Sequence, residues 1–235
     1  ARIFLTYPSL FLNQLIVSSG NNSPIKLGAS AGLDAVGVAS INIGPSAGQS
    51  STGDFRVSIG NTAGNSLVGP YGNNDVSIGS YAGYQAGGSV TPGSNIHIGF
   101  VAGSESDGRN DIHIGESAGY SQSSNYGIGV GYYAGGEADG DENIFIGRAA
   151  GYNVKNDSDN NIYIGKSAGQ HASGSNNIEI VTEGGAFSVV RGLSNRLHIE
   201  NTIVGDTDAR RLAVGLVGTG DLSPDATIEI KPSGT

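Results

Sequence analysis

The sequence predicts an all-β fold, a parallel β-roll or β-helix solenoid of about nine coils of 16 residues, and three observations predict it. One pattern (apolar, any, apolar, Gly, any, any, Ala, Gly) recurs at near-constant spacing along most of the chain. There are 40 glycines but only 7 prolines among 235 residues, with no three-residue period, which excludes collagen and calls for many tight turns. The apolar residues are mostly Ile, Val and Ala, with no Trp, Met or Cys, a palette suited to narrow layers of β-branched side chains.

Residues 1–24 open with ARIFLTYPSLFLNQLIVSSG, where Pro8, Asn13 and Gln14 interrupt the apolar run within fewer than ~18 residues. That reads as an extended entry segment rather than a signal peptide or membrane helix. The chain starts at Ala1, as a processed product or a fragment would.

Residues 25–181 carry the repeat. Clear copies are INIGPSAG from Ile41, VSIGNTAG from Val57, VSIGSYAG from Val76, IHIGFVAG from Ile96, IHIGESAG from Ile112, IFIGRAAG from Ile144 and IYIGKSAG from Ile162. IKLGASAG from Ile25 and IGVGYYAG from Ile128 are worn copies. The repeat glycines are Gly28, Gly44, Gly60, Gly79, Gly99, Gly115, Gly131, Gly147 and Gly165, spaced 16, 16, 19, 20, 16, 16, 16 and 18 residues apart. The longer intervals contain NSLVGPYGNND, YQAGGSVTPGSN and NVKNDSDNN, turn-rich insertions of the kind that a solenoid carries on its surface. IEIV from Ile178 is a degenerate tenth copy, and residues 182–235 form a non-repeating, β-rich stem segment.

Within a unit, two apolar residues flank one other, the period of a short strand with one face buried. The following glycine is expected to need φ > 0 or to pass close to a neighbouring coil. Sixteen residues then suffice for two short strands and two turns. A helix fails because the runs are short and Gly-punctuated. An antiparallel meander would not need the same residues at the same offsets in every unit. Stacking in register makes aliphatic ladders at ~4.8 Å steps, but one thin coil stack buries little, so an intertwined or side-by-side homotrimer is expected.

NNIYIGKSAGQHASGSNN and ENIFIGRAAGYN resemble the glycine-rich repeats of phage tail fibre proteins, and more distantly the head repeats of trimeric autotransporter adhesins. The LHIENT, RRLAVG and LSPDATIEI pieces of the C-terminal segment resemble the stem that follows such repeats in phage fibres. The resemblance implies a structural virion protein outside the cell. It would be a trimeric spacer with other tail proteins as partners and a host-surface glycan or protein as receptor. A bacterial trimeric surface adhesin is the alternative, and a capsule depolymerase a third reading.

The net charge of −9 lacks the basic footprint of nucleic-acid binding, and without cysteine there is no disulfide or thiolate chemistry. The reading assigns no cofactor, no membrane insertion and no enzymatic activity. The four histidines, His97, His113, His171 and His198, have no nucleophile motif beside them, and no Gly-x-x-Ala-Gly stretch opens a helix as a phosphate loop would. The residues between the paired apolar positions are Lys26, Asn42, Ser58, Ser77, His97, His113, Gly129, Phe145 and Tyr163, read as facing away from the aliphatic core. His97 and His113, one coil apart, are candidates for stacked rings holding a metal or anion in a trimer, with an interface or solvent position as the plainer expectation. Asp107, Asp111, Asp139, Asp141, Asp157 and Asp159 lie in inter-motif loops, but match no calcium-loop spacing and read as solvated turns. Among the tyrosines, Tyr84, Tyr120, Tyr126 and Tyr152 are the receptor-contact candidates, since an exposed ring can stack on sugars.

Overall fold

The computed structural model describes residues 24–36, 39–66, 74–86, 94–155, 158–183, 192, 194–199, 203–206 and 211–214. It is an all-β solenoid of about nine turns, with no helix among the described residues. The strands are β1 (Ile25–Leu27), β2 (Ile41–Ile43), β3 (Val57–Ile59), β4 (Val76–Ile78), β5 (Ile96–Ile98), β6 (Ile112–Ile114), β7 (Ile128–Val130), β8 (Ile144–Ile146), β9 (Ile162–Lys166) and β10 (Ile178–Glu183). β11 (Arg196–Ile199), β12 (Ile203–Asp206) and β13 (Arg211–Val214) follow in the same sheet, whose order is the order of the chain.

Every pair from β1 to β11 is parallel and aligned one repeat apart, as in Ile96↔Ile112 and Ile98↔Ile114. Parallel stacking thus continues one coil past the degenerate copy, with Ile178 opposite Leu197, before β11, β12 and β13 turn into an antiparallel meander. The entry segment, the insertion residues 67–73 and 87–93, and most of the stem lie outside the described residues.

Coil positions are counted from the first apolar residue, so that in the coil opening at Ile112, His113 is position 2, Gly115 position 4, Ala118 position 7 and Gly127 position 16. Hydrogen bonds to the neighbouring coils run around the whole circuit. The N–H groups of Gly115, Ser117, Ser121 and Tyr126 donate to the preceding coil, while those of Gly119, Ser123 and Ile128 reach the following one, all at 2.8–3.0 Å. Each coil contains one short strand rather than two, of three residues in β1 to β8 and five in β9; its second extended stretch shrinks to single bridges such as Ser123↔Asp139. The rest is a chain of left-handed turns. Besides the two repeat glycines, three non-glycine residues have positive φ in most coils, as Ser117 (55°), Ser121 (48°) and Tyr126 (59°) do. Such angles cost roughly 1–2 kcal/mol per residue and persist because the ladders on both sides over-determine them.

The interior reverses the expected sidedness. The position-2 side chains point inward: Asn42, Ser58, Ser77, His97, His113, Phe145 and Tyr163 are all at most 1% exposed. The flanking Ile and Val residues, expected in the core, lie half-buried or exposed on the outside of the same strands. The steric reason lies in the repeat's small residues. Position 7 is an inward-facing Ala in every coil, and position 8 is the glycine over which the position-2 side chain lies. A Cβ on Gly119 would sit 2.3 Å from the His113 ring, so the Ala-Gly pair leaves room for one large group per coil on the other side.

Position 16 supplies a second inward column: Ser40, Arg56, Asp75, Asn95, Asp111, Gly127, Asn143, Asn161 and Asn177. Its Asn and Asp side chains hold one coil to the next. Asp75, Asn95, Asp111, Asn143 and Asn161 each accept the backbone N–H of the position-16 residue one coil on, at 2.7–3.0 Å. Asn161 also donates to the carbonyls of Ser158 and Gly174. Asn161→Ala takes that partner from the Gly174 carbonyl and from the buried Asn177 N–H, and is expected to cost about 2–3 kcal/mol. Asn160→Gly, one residue away at φ 58°, is expected to be neutral or stabilising. Urea unfolding midpoints check both, and equal losses would sink the ladder explanation.

Candidate functional site

The outer face of the sheet is the first candidate surface. Positions 1 and 3 of successive strands stack in register into two aliphatic ladders along the stack. Leu27 is 46% exposed, Ile98 36%, Ile114 38%, Ile146 40% and Ile180 37%. A row of half-exposed β-branched residues at strand spacing, interrupted by no charge between β2 and β8 at these positions, is a flat apolar surface of the kind that marks an interface.

His97 and His113 do not reach that surface, nor solvent. Their rings stack inside the roll at 5.2 Å with an interplanar angle of 5°, and neither nitrogen of His97 has a protein hydrogen-bond partner. Parallel stacked rings aim their lone pairs along parallel planes, so the two do not converge on one ion. Among the described residues no group of three or more His, Cys, Asp or Glu side chains is placed to hold a metal. Burial drives His97 well below the usual 6.5, with the His113 charge adding to the effect. It drives His113 down to about 4, partly offset by the Gln122 carboxamide. Both rings are therefore neutral core residues near pH 7.

The loop aspartates separate into different roles. Asp111 is buried, and burial lifts it to about 7 despite the N–H of Gly127 that it accepts. Asp141 and Asp159 cap backbone N–H groups of the preceding coil, those of Asn125 and Asp141. Asp107 and Asp139 donate their own N–H to the carbonyls of Gln122 and Val154. Asp157 lies outside the described residues.

Of the tyrosines, Tyr84, Tyr120 and Tyr152 all occupy position 9, on alternate coils, and the structure brings them into one outward column. Ser104 and Gly136, both small, occupy position 9 in the coils between. Tyr126, at position 15, stands apart on another edge of the coil with the Arg109 guanidinium 5.7 Å over its ring. Two groups that sequence reading missed belong to the column's neighbourhood: Glu105 and Glu137, both at position 10, on the intervening coils. The N–H of Glu105 donates to the Tyr84 carbonyl and that of Glu137 to the Tyr120 carbonyl, both at 2.8 Å, which fixes the alternation Tyr, Glu, Tyr, Glu, Tyr. The 16-residue period, applied to positions beyond the strand, would have found it.

The fold and these surfaces define a thin, repetitive β-solenoid with a polar-seeded interior and an apolar flank. No family model, no curated protein and no solved structure matches the chain.

Proposed function

We propose that the chain is a segment of a virion tail fibre: a homotrimeric, rigid spacer outside the cell, joined to other tail proteins and able to contact a host-surface glycan or protein. The observation that carries the reading is the aliphatic face. Single-chain packing leaves the Ile ladders half-exposed along the stack, and three copies closing around one axis would cover all of them at once. The resemblance of the repeats and of the stem to phage fibres selects the fibre among trimeric solenoids. An unbroken hydrogen-bond ladder from coil to coil suits a stiff spacer, because each coil is stable only through its neighbours.

Sedimentation equilibrium tests the reading. The native chain is expected at three times its monomer mass, and the combined variant Ile98→Lys, Ile114→Lys, Ile146→Lys as a folded monomer, since these side chains point out of the coil. A monomeric native chain overturns the assembly, and so does a variant that remains trimeric.

A further inference from the structure

The position-9 column has a periodicity of its own. Tyr84, Tyr120 and Tyr152 are each two coils apart, and two coil steps cover about 9.5 Å. That is close to the length of two pyranose rings in an extended β-1,4-linked chain, which turns the same face to one side every second ring. Ser104 is buried and Gly136 has no side chain, so neither fills the gaps between the tyrosines.

Two of the three rings are held by aromatic edges. Tyr81 meets Tyr84 at 5.6 Å and 77°, and Tyr133 meets Tyr152 at 5.8 Å and 89°. Between the tyrosines stand Glu105, exposed, and Glu137, half-buried, the latter accepting the Tyr152 hydroxyl at 3.1 Å. Carboxylates beside ring faces accept hydrogen bonds from sugar hydroxyls, and they repel an anionic polymer, as does the net charge of −9. A protein partner would favour a continuous apolar patch, whereas here acidic groups stand at every second step.

We infer that the column Tyr84, Glu105, Tyr120, Glu137, Tyr152 is a binding platform for an uncharged, extended β-1,4-linked polysaccharide lying along the solenoid axis. One disaccharide sits on each tyrosine, and the two glutamates accept hydroxyl protons between them. The inference rests on the fibre reading for its role at a host surface and gives that reading a receptor class.

Affinity electrophoresis of the native chain through gels containing hydroxyethylcellulose or glucomannan, with carboxymethylcellulose as the anionic counterpart, tests it. Retardation by the neutral polymers and none by the anionic one is expected. Tyr120→Ala is expected to weaken binding about tenfold, roughly the loss of one stacked ring, and Tyr120→Phe to keep it. Tyr84→Ala and Tyr152→Ala are independent copies of the test, and Tyr126→Ala, off the platform, should change nothing. No retardation by either neutral polymer overturns the assignment and leaves a protein as the receptor class. Retardation that all three alanine variants leave intact also overturns it, as does equal retardation by carboxymethylcellulose. The fibre reading is judged separately by its trimeric mass, so a trimer that ignores both neutral polymers defeats the platform alone.

Discussion

Gly115→Ala is expected to lower stability by at least about 4 kcal/mol, and at worst to break the solenoid into two stacks at that coil. Two independent penalties meet there. Gly115 has φ 133°, a conformation closed to residues with a Cβ, and an added Cβ would lie 2.5 Å from the carbonyl oxygen and 2.7 Å from the carbonyl carbon of Gly131. Both contacts are with backbone, which cannot swing aside as a side chain can. Moving it would pull the coils apart at the point where the Gly131 N–H donates to the Ile114 carbonyl. Glu116→Ala, exposed and one residue on, is expected to stay within about 0.5 kcal/mol. Urea denaturation of the two variants against the native chain checks the contrast. A loss under about 1 kcal/mol for Gly115→Ala would mean that the glycine column does not set the coil spacing.

Asp111→Asn and His113→Phe are expected to stabilise the chain in opposite pH ranges. Burial lowers His113 to about 4 and His97 further below its usual 6.5, so the folded chain binds fewer protons than the unfolded chain in acid. The stability carried by these neutral rings is whole above pH 6.5 and is lost as the pH falls toward 4. Burial acts in the other sense on the carboxylates, raising Asp111 to about 7 and Asp75 to about 6 from 3.8. Their contribution is whole below 3.8 and is lost as the pH rises through 6 to 7. The two trends oppose each other in one window, so the native chain should show a shallow pH profile between 4 and 7.

The variants separate the trends. Asp111→Asn keeps the oxygen that accepts the Gly127 N–H and removes the charge, so it should gain roughly 3 kcal/mol at pH 8 and almost nothing at pH 4. Asn143 and Asn161 already fill the same column with amides that donate to nearby carbonyls. His113→Phe places in the column the residue that Phe145 already supplies two coils on, and should gain roughly 2–3 kcal/mol at pH 4.5 with little change at pH 8. Thermal melts across this range decide the matter. Parallel profiles for variant and native chain would show that these groups do not titrate on unfolding as their burial requires.

Much of this architecture was legible because repetition amplifies weak local signals. A single Ile-x-Ile-Gly says little, but nine in register at near-constant spacing fix strand, turn and stacking partner together, and Ile96↔Ile112 pairs as the spacing requires. The glycine column was legible for the same reason, both expected causes being present at Gly115. Sidedness was not. Alternation in a three-residue strand says that Ile112 and His113 face opposite ways, and hydrophobicity alone assigned the isoleucines to the core. The coil's width decided otherwise: with Ala118 and Gly119 across the circuit there is space for one large side chain per layer, and it is the position-2 residue that points there.

Other features escaped the sequence because their residue types carry no single signature. Ser117, Ser121 and Tyr126 share a left-handed conformation that only the surrounding ladder imposes. The Asn and Asp residues of position 16 look like ordinary turn formers until the parallel stack aligns each with the N–H one coil away. The sequence by itself therefore determined the coil, its length and the register of stacking, because these follow from a period that any residue reading can count. Only the tertiary structure decided which side of each strand is inside, which polar residues are buried, and that three tyrosines share one column, because those depend on how wide the closed coil is.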